Sequence, residues 1–268
     1  MRPLAELPQE VWRRAPGIVL DVDDTLTRDG VLEVDALDAL HAVRRLGRTA
    51  MLVTGRPNGW AETMAAILPV AVAVGENGAG WAWMRAAAGG RVLERGRFET
   101  EAEAVQRAER AGRLLDEVRR TMPDVALASD ASLRTCDVAF DVGEGVRLPS
   151  SRIASLRALA ERYGARVVVS SVHLHAIFGG WDKAVGAARA AQVVLGVAAE
   201  ELFEEWIFVG DSGNDAPAFA RFARTIGVAN VTDHLASLSV PPRFVTEADR
   251  GRGVAEIVRA WAAALERT

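Results

Sequence analysis

Apolar positions run through this chain in two rhythms, and the points where the runs stop carry information. Gly17-Ile18-Val19-Leu20 is an unbroken apolar stretch that halts at Asp21-Val22-Asp23-Asp24-Thr25, as a buried parallel strand does on reaching a polar loop. Residues 35–46 place Ala36, Leu37, Leu40, Val43 and Leu46 at helical spacing, and Gly47 supplies the stop. A second strand, Thr49-Ala50-Met51-Leu52-Val53, runs into Thr54-Gly55-Arg56-Pro57 and is followed by a helix over residues 60–68 and a third apolar run over residues 70–74. This βαβαβ order predicts an α/β fold with a doubly wound, mainly parallel, Rossmann-like sheet.

Beyond Gly75-Glu76-Asn77-Gly78 the pattern changes. Gly89-Gly90, a charged helical stretch over residues 99–122 and strand-like pieces at 125–128 and 133–142 come next. Ser150-Ser151 offers an N-cap for a helix that reaches Tyr163 and ends at Gly164, and residues 166–170 and 172–178 read as strands. Helices beside short strands predict an α+β module. From Gly179 the first rhythm returns with a helix over 183–195, the strand Trp206-Ile207-Phe208-Val209, short strands at 224–228 and 243–246, and a closing helix over 253–266. The expected division is a core of residues 1–79 and 180–268 with an inserted α+β cap of residues 80–179.

Composition narrows the class. Of 268 residues, half are hydrophobic and a quarter charged, which excludes a disordered, collagen-like or disulfide-scaffold chain. The net charge of −4 contains no long block of either sign, so no nucleic-acid partner is expected. The longest nearly uncharged stretch, residues 65–75, is too short for a bilayer span and is broken by Pro69, so no membrane partner is expected. Cys136 is the single cysteine, and the first residues lack the basic stub and apolar run of a signal peptide. A cytoplasmic protein, monomer or homodimer, is the expectation.

Three strand ends, after Leu20, Val53 and Val209, deliver Asp21 and Asp23, Thr54-Gly55, and Asp211 and Asp215. Open parallel sheets bind ligands at such carboxyl edges. Several aspartates in one crevice repel unless a cation or proton neutralises them. With only oxygen ligands in these loops, Mg²⁺ is favoured over Zn²⁺. Asp182 is an N-cap for the following helix, which puts Lys183 in the first turn, where the helix dipole disfavours a cation by ~0.3–1 kcal/mol. A bound anion offsets that penalty. Together the loops allow one aspartate to attack phosphorus and a second to protonate the leaving alkoxide and then activate water, which is phosphomonoester hydrolysis.

These segments resemble the four ordered motifs of the haloacid-dehalogenase-like (HAD) phosphohydrolases: Asp21-Val22-Asp23-Asp24-Thr25-Leu26-Thr27, Thr54-Gly55-Arg56, Lys183, and Gly210-Asp211-Ser212-Gly213-Asn214-Asp215. The resemblance covers essentially the whole chain and implies a Mg²⁺-dependent phosphatase working through an aspartyl-phosphate. Position by position, it implies that Asp21 is the nucleophile and a metal ligand, and that Asp23 is the acid/base and a ligand through its carbonyl. Asp211 would be a third ligand, and Asp215 would hold the metal directly or through water. Thr54 and Lys183 would bind the transferring phosphoryl group, and Asn214 would orient phosphate or a carboxylate. Asp24 stands where the family often has glycine and receives no chemical role. The separation of 127 positions from Arg56 to Lys183 leaves room for the cap there, as in class II members. The fourth motif, with Glu76-Asn77-Gly78-Ala79, Gly227-Val228-Ala229-Asn230 and Gly251-Arg252-Gly253-Val254, resembles subclass IIB, the Cof type.

The implied substrate is a small phosphorylated metabolite such as a sugar phosphate, phosphoglycolate or a similar polyol phosphate. A phosphomutase of phosphomannomutase type is the alternative, since Gly180-Trp181-Asp182-Lys183 resembles the third motif of those enzymes, although the compact fourth motif looks like the hydrolases. Other residues carry two readings each. His173 and His175 share a strand face and either pack the cap or touch substrate. Arg56 either reaches substrate together with Gly55 or makes a surface ion pair, with Arg134 and Arg147 weaker candidates of the same kind. Trp81 and Trp83 either pack or stack on a sugar. Glu76 and Asn77 either contact the leaving group or hold their loop.

Overall fold

The computed structural model describes residues 1–170 and 172–266. Its main sheet has nine strands in the order Arg2–Pro3, Phe244–Val245, Arg224–Gly227, Ile207–Gly210, Gly17–Leu20, Thr49–Val53, Val72–Gly75, Gly80–Ala87 and Gly90–Arg97. The first seven pair in parallel and the last two antiparallel. Side chains alternate across the pleat. Ile18, Leu20, Leu52 and Val209 pack against Leu40 and Val43 of helix Val34–Arg45 and Ile257 and Trp261 of helix Arg250–Glu266. Val19, Met51, Val53 and Phe208 face the opposite layer, where helix Lys183–Leu195 contributes Ala184, Ala187 and Ala191. The central strands are buried on both faces, which is why their sequences are continuous apolar runs rather than alternating ones. The doubly wound, mainly parallel α/β core is the fold the periodicity predicts.

A second sheet, in the order Arg166–Val169, His173–Ile177 and Val138–Asp141, is antiparallel throughout. Phe140, Leu174 and Ala176 pack on Leu114 and Val118 of helix Glu101–Thr121 and on Leu156 and Leu159 of helix Ser150–Arg162. His173 and His175 alternate with Leu174 and Ala176 and so take the other face. Helix Glu101–Thr121 starts with a capping box in which Thr100 and Glu103 exchange side-chain and backbone hydrogen bonds.

Several boundaries depart from the sequence expectation. Residues 80–97, expected in the inserted module, form a hairpin hydrogen-bonded through Val72–Gly75 into the main sheet. Trp81 is buried in that sheet's core and Trp83 packs against it, so these rings pack rather than stack on a ligand. Residues 125–128 make only an isolated bridge, Leu127 to Phe140. Ala131–Leu133 is a 3₁₀ turn, which shortens the strand expected over 133–142 to Val138–Asp141. Pro149, rather than Ser150 or Ser151, is the N-cap of its helix and has no side-chain oxygen to accept a capping hydrogen bond; proline's fixed φ starts the helix without one.

Two glycines bring the two halves of the core chain together. Gly78 has φ +110, and a Cβ there would lie 2.2 Å from the Asp182 carbonyl oxygen; a Cβ on Gly186 would lie 2.2 Å from Gly78 Cα. Backbone therefore meets backbone where the 76–78 turn crosses the start of helix Lys183–Leu195, and this contact sets the height of Lys183 above the sheet edge.

Candidate active site

Strands Ile207–Gly210, Gly17–Leu20 and Thr49–Val53 lie side by side in parallel, so the loops that follow them leave the sheet at one edge. Each ladder runs one residue further: Asp21 N–H donates to the Val209 carbonyl and Thr54 N–H to the Val74 carbonyl, both at 2.9 Å. Asp21, Asp211 and Asp215 are thereby held with one carboxylate oxygen of each within 4.8 Å of the others. All three are at most 2% exposed. Asp215 is folded back by its own loop, its Oδ2 accepting from the N–H groups of Asp211 at 3.0 Å and Ser212 at 3.1 Å.

Lys183 lies between them. Its side chain is fully buried, and Nζ donates to Asp21 Oδ1 at 2.6 Å and to Asp215 Oδ1 at 2.7 Å. Asp182 caps the helix as expected, accepting from the N–H groups of Ala184 and Val185 at 2.9 Å. Burial disfavours the ammonium, but the charges of Asp21 and Asp215 outweigh it and hold Lys183 above the usual lysine range. Burial, then the charge of Asp215, pushes Asp21 up to about 7. Burial and the charges of Asp21 and Asp215 push Asp211 well above the carboxylate range. One ammonium does not balance three buried carboxylates. An all-oxygen site with that surplus of negative charge fits a hard divalent cation such as Mg²⁺, held by Asp21, Asp211 and Asp215.

Thr25 and Asn230, to which sequence reasoning gave no role, position Asp211. Thr25 Oγ1 donates to Asp211 Oδ1 at 3.2 Å, and Asn230 Nδ2 donates to Asp211 Oδ2 at 3.1 Å and to the Asp24 carbonyl at 3.0 Å. The only sequence signal for Asn230 is its place in the Gly227-Val228-Ala229-Asn230 segment. Asp24 adopts φ +55, a left-handed conformation that explains why glycine suits this position, and its carboxylate receives Arg250 Nε at 2.9 Å.

Asp23 stands apart from the carboxylate cluster. It is half-buried and pairs with Arg56, whose Nε lies 2.9 Å and Nη2 2.8 Å from its Oδ1. Thr54 is fully buried; its hydroxyl donates to Asp23 Oδ2 at 3.4 Å and accepts from Arg56 N–H at 3.0 Å. Arg56 is thus ion-paired to a carboxylate of the site itself, and it lines the cleft.

Asn77 has φ +56 and sits behind the Thr54 loop: its N–H donates to the Thr54 carbonyl at 2.9 Å, and a Cβ on Gly55 would be 3.3 Å from its Oδ1. Both amide atoms of its side chain are buried and unpartnered among the described residues. Glu76 holds its loop. Its fully buried carboxylate accepts from the N–H groups of Asn58 (3.1 Å), Thr135 (2.9 Å), Cys136 (2.6 Å) and Asp137 (2.8 Å), tying residues 135–137 to the core. Burial, then the charge of Asp137, pushes it up to about 7 against those hydrogen bonds.

Above the carboxylates lies a cleft of about 1000 Å³. Asp21, Asp23, Gly55, Arg56, Asp211 and Asn214 line its floor, and His173, His175 and Glu144 line its roof. Asn214 Oδ1 accepts from Ser212 Oγ at 2.8 Å. His175 Nδ1 is 2.7 Å from Asp137 Oδ2, and His173 Nε2 is 3.1 Å from Glu144 Oε2. Arg134 is buried; its Nη1 donates to Asp137 Oδ1 at 2.9 Å and to the Gly55 carbonyl at 3.1 Å, so it bridges roof and floor. Burial works to raise Asp137, yet the hydrogen bond and charge of His175, then Arg134, hold it down to about 2. Among the described residues no helix is long and apolar enough to cross a membrane.

A doubly wound sheet with three aspartates and a lysine gathered at its carboxyl edge, beneath an α+β roof, is a fold shared with solved structures named as haloacid dehalogenase-like hydrolases. No protein-family profile matches the sequence, and no curated protein matches it. The likeness is structural. A Thermoplasma acidophilum protein superposes with a TM-score of 0.72 at 21% identity, over 92% of this chain and 98% of that one. A haloacid dehalogenase-like hydrolase from Bacteroides thetaiotaomicron gives 0.64 at 17%, over 91% and 98%. The sucrose-phosphatase of Synechocystis, solved with sucrose and phosphate, gives 0.62 at 16%, over 93% and 98%.

Proposed function

We propose that this protein is a Mg²⁺-dependent phosphatase that hydrolyses a small phosphorylated metabolite through an aspartyl-phosphate. The observation that carries the reading is the convergence of Asp21, Asp211 and Asp215, two of them bonded to Lys183, beneath the cleft. Sucrose-phosphatase and a trehalose-6-phosphate phosphatase related protein among the structures of this fold support a sugar-phosphate type of substrate.

Asp21 attacks phosphorus, forming the acyl-phosphate bond as the ester P–O bond breaks, and protonated Asp23 delivers its proton to the departing alkoxide. Asp23, now a carboxylate, takes a proton from water, whose oxygen attacks the same phosphorus; the bond to Asp21 breaks and inorganic phosphate leaves. Arg56 and Thr54, both hydrogen-bonded to Asp23, hold its carboxylate over the floor of the cleft. Lys183 and the Thr54 hydroxyl bind phosphoryl oxygens, with Gly55 giving close backbone approach and Asn77 and Asn214 orienting the group. Mg²⁺, held by Asp21, Asp211 and Asp215 and the Asp23 carbonyl, supplies charge neutralisation for the incoming phosphoryl group. The protein acts as a monomer or homodimer in the cytoplasm.

Phosphate release from a panel of phosphorylated metabolites, with Mg²⁺ and with EDTA, tests the reading. Expected are release that depends on Mg²⁺ and its loss in Asp21→Asn. Turnover near the wild-type rate in Asp21→Asn removes the assigned nucleophile, and interconversion of hexose phosphate isomers without phosphate release makes the enzyme a mutase.

A further inference from the structure

The edge of the main sheet opposite the carboxylates carries a second concavity, a pocket of about 360 Å³. It opens where strand Thr49–Val53 begins, beside the end of helix Val34–Arg45 and the turn after helix Asn58–Ile67. Arg44, Arg48, Thr49, Leu68, Val70 and Arg91 stand in its wall. Thr54, just past the other end of the strand, lies roughly 16 Å from Thr49 at ~3.3 Å per residue, and no residue lines both this pocket and the cleft. Three of the lining side chains are guanidinium groups and none is a carboxylate.

Local structure brings the arginines together. Gly47, at φ +67, turns the chain back after the helix; its N–H donates to the Arg44 carbonyl and Arg48 N–H to the Val43 carbonyl, both at 3.1 Å, and Arg44 and Arg48 end in the same wall. No carboxylate answers the three charges. The residues one helical turn before Arg44 are Leu40 and His41, and Arg91 lies opposite Ala86 in its hairpin. Arg85 and Arg95 of the same hairpin, by contrast, are paired with Glu94 and Glu62. Among the described residues the side chains of Arg44 and Arg91 have no hydrogen bond or ion pair. Arg48 Nη2 donates to the Arg13 carbonyl at 3.1 Å, while its Nε is enclosed without a partner. An enclosed donor without an acceptor is unfavourable, and an oxyanion seated against the same guanidinium supplies one.

We propose that this pocket is a second binding site, for a small organic molecule bearing two or more oxyanion groups, phosphate or carboxylate. Arg44, Arg48 and Arg91 offer planar forks matched to such groups, and the Thr49 hydroxyl adds a donor. Leu68 and Val70 give the carbon skeleton an apolar wall. The site stands independently of the phosphatase reading, since it is built at the amino edge of the sheet from residues that take no part in the chemistry.

Isothermal titration calorimetry in EDTA, with inorganic pyrophosphate and with citrate as probes, tests the site; without a divalent cation the carboxylates of the cleft repel both anions. Wild type is expected to bind at one site with a Kd below about 1 mM. Tighter binding of pyrophosphate assigns the ligand to phosphate compounds, and tighter binding of citrate assigns it to polycarboxylates. Arg44→Gln and Arg91→Gln, both at exposed positions, should each weaken the preferred probe about tenfold or more, the value of one charge-assisted hydrogen bond. Arg45→Gln removes the same charge from the same helix end but outside the pocket, and at physiological salt should leave Kd within about twofold. All three variants should release phosphate from esters at the wild-type rate when no probe is present. Absence of binding to wild type, unchanged binding in the pocket variants, or equal weakening by Arg45→Gln overturns the site and leaves the phosphatase reading standing. Failure of every protein to release phosphate ends that reading without touching the site.

Discussion

Replacing Lys183 with methionine keeps the length of the side chain and removes the one ammonium among Asp21, Asp215 and Asp211. At 2.6 and 2.7 Å, each contact is worth on the order of 6 kcal/mol before desolvation at an effective dielectric of 20. Most of that is returned as the cost of burying the charges, and breaking one side of a buried pair typically leaves a net loss of about 3–5 kcal/mol. The opposing gain, relief of a cation in a helix's first turn, is only ~0.3–1 kcal/mol, so destabilisation wins. For a chain of this size that corresponds to a drop in Tm of roughly 10–15 °C. Thermal melts followed by the fluorescence of the seven tryptophans, in EDTA, measure it. Mg²⁺ at a hundred times its Kd should restore about 2.7 kcal/mol by mass action. Adding Asp215→Asn to the variant should recover part of the loss by removing one of the stranded charges. If Lys183→Met melts within about 2 °C of wild type in EDTA, the carboxylates are not held together by this lysine and the electrostatic account of the site is wrong.

Gly186→Ala sets helix propensity against packing: alanine gains about 1 kcal/mol in a helix interior, but its Cβ would lie 2.2 Å from Gly78 Cα. A net loss of about 2 kcal/mol or more in urea denaturation is expected, and a stabilised variant would show that the crossing yields freely. Glu76→Gln changes the pH profile. A buried acid raised from 4.5 to about 7 keeps its proton in the folded state while the unfolded chain has lost it. Wild-type stability therefore falls between pH 4.5 and 7, by about 3 kcal/mol. The glutamine variant should lack this slope, and parallel stability curves for the two proteins across that window would contradict the assignment. Asp21→Asn, assayed with Mg²⁺ on the best ester of the panel, should retain no measurable turnover.

The local pattern of the sequence was enough for the core. Runs such as Gly17–Leu20 and Ile207–Gly210 are buried on both faces and end in aspartates, so element type, strand direction and the edge that carries Asp21, Asp23, Thr54, Asp211 and Asp215 follow from neighbouring residues alone. Helix Lys183–Leu195 was legible for the same reason, with Asp182 as its cap.

What needed the tertiary structure is every contact between residues remote in the chain. Nothing near residue 80 says that Gly80–Arg97 joins the main sheet, because an antiparallel hairpin reads alike wherever its edge is paired. Asn230 reaching Asp211 and Asp24, Glu76 gathering the N–H groups of residues 135–137, and Arg134 bridging Asp137 to Gly55 are long-range choices of polar partner. The pairing of His175 with Asp137 and of His173 with Glu144 is of the same kind. Periodicity records which face of an element is buried. A buried polar group must find a partner, but its identity depends on which distant backbone or side chain the packed layers bring within 3 Å.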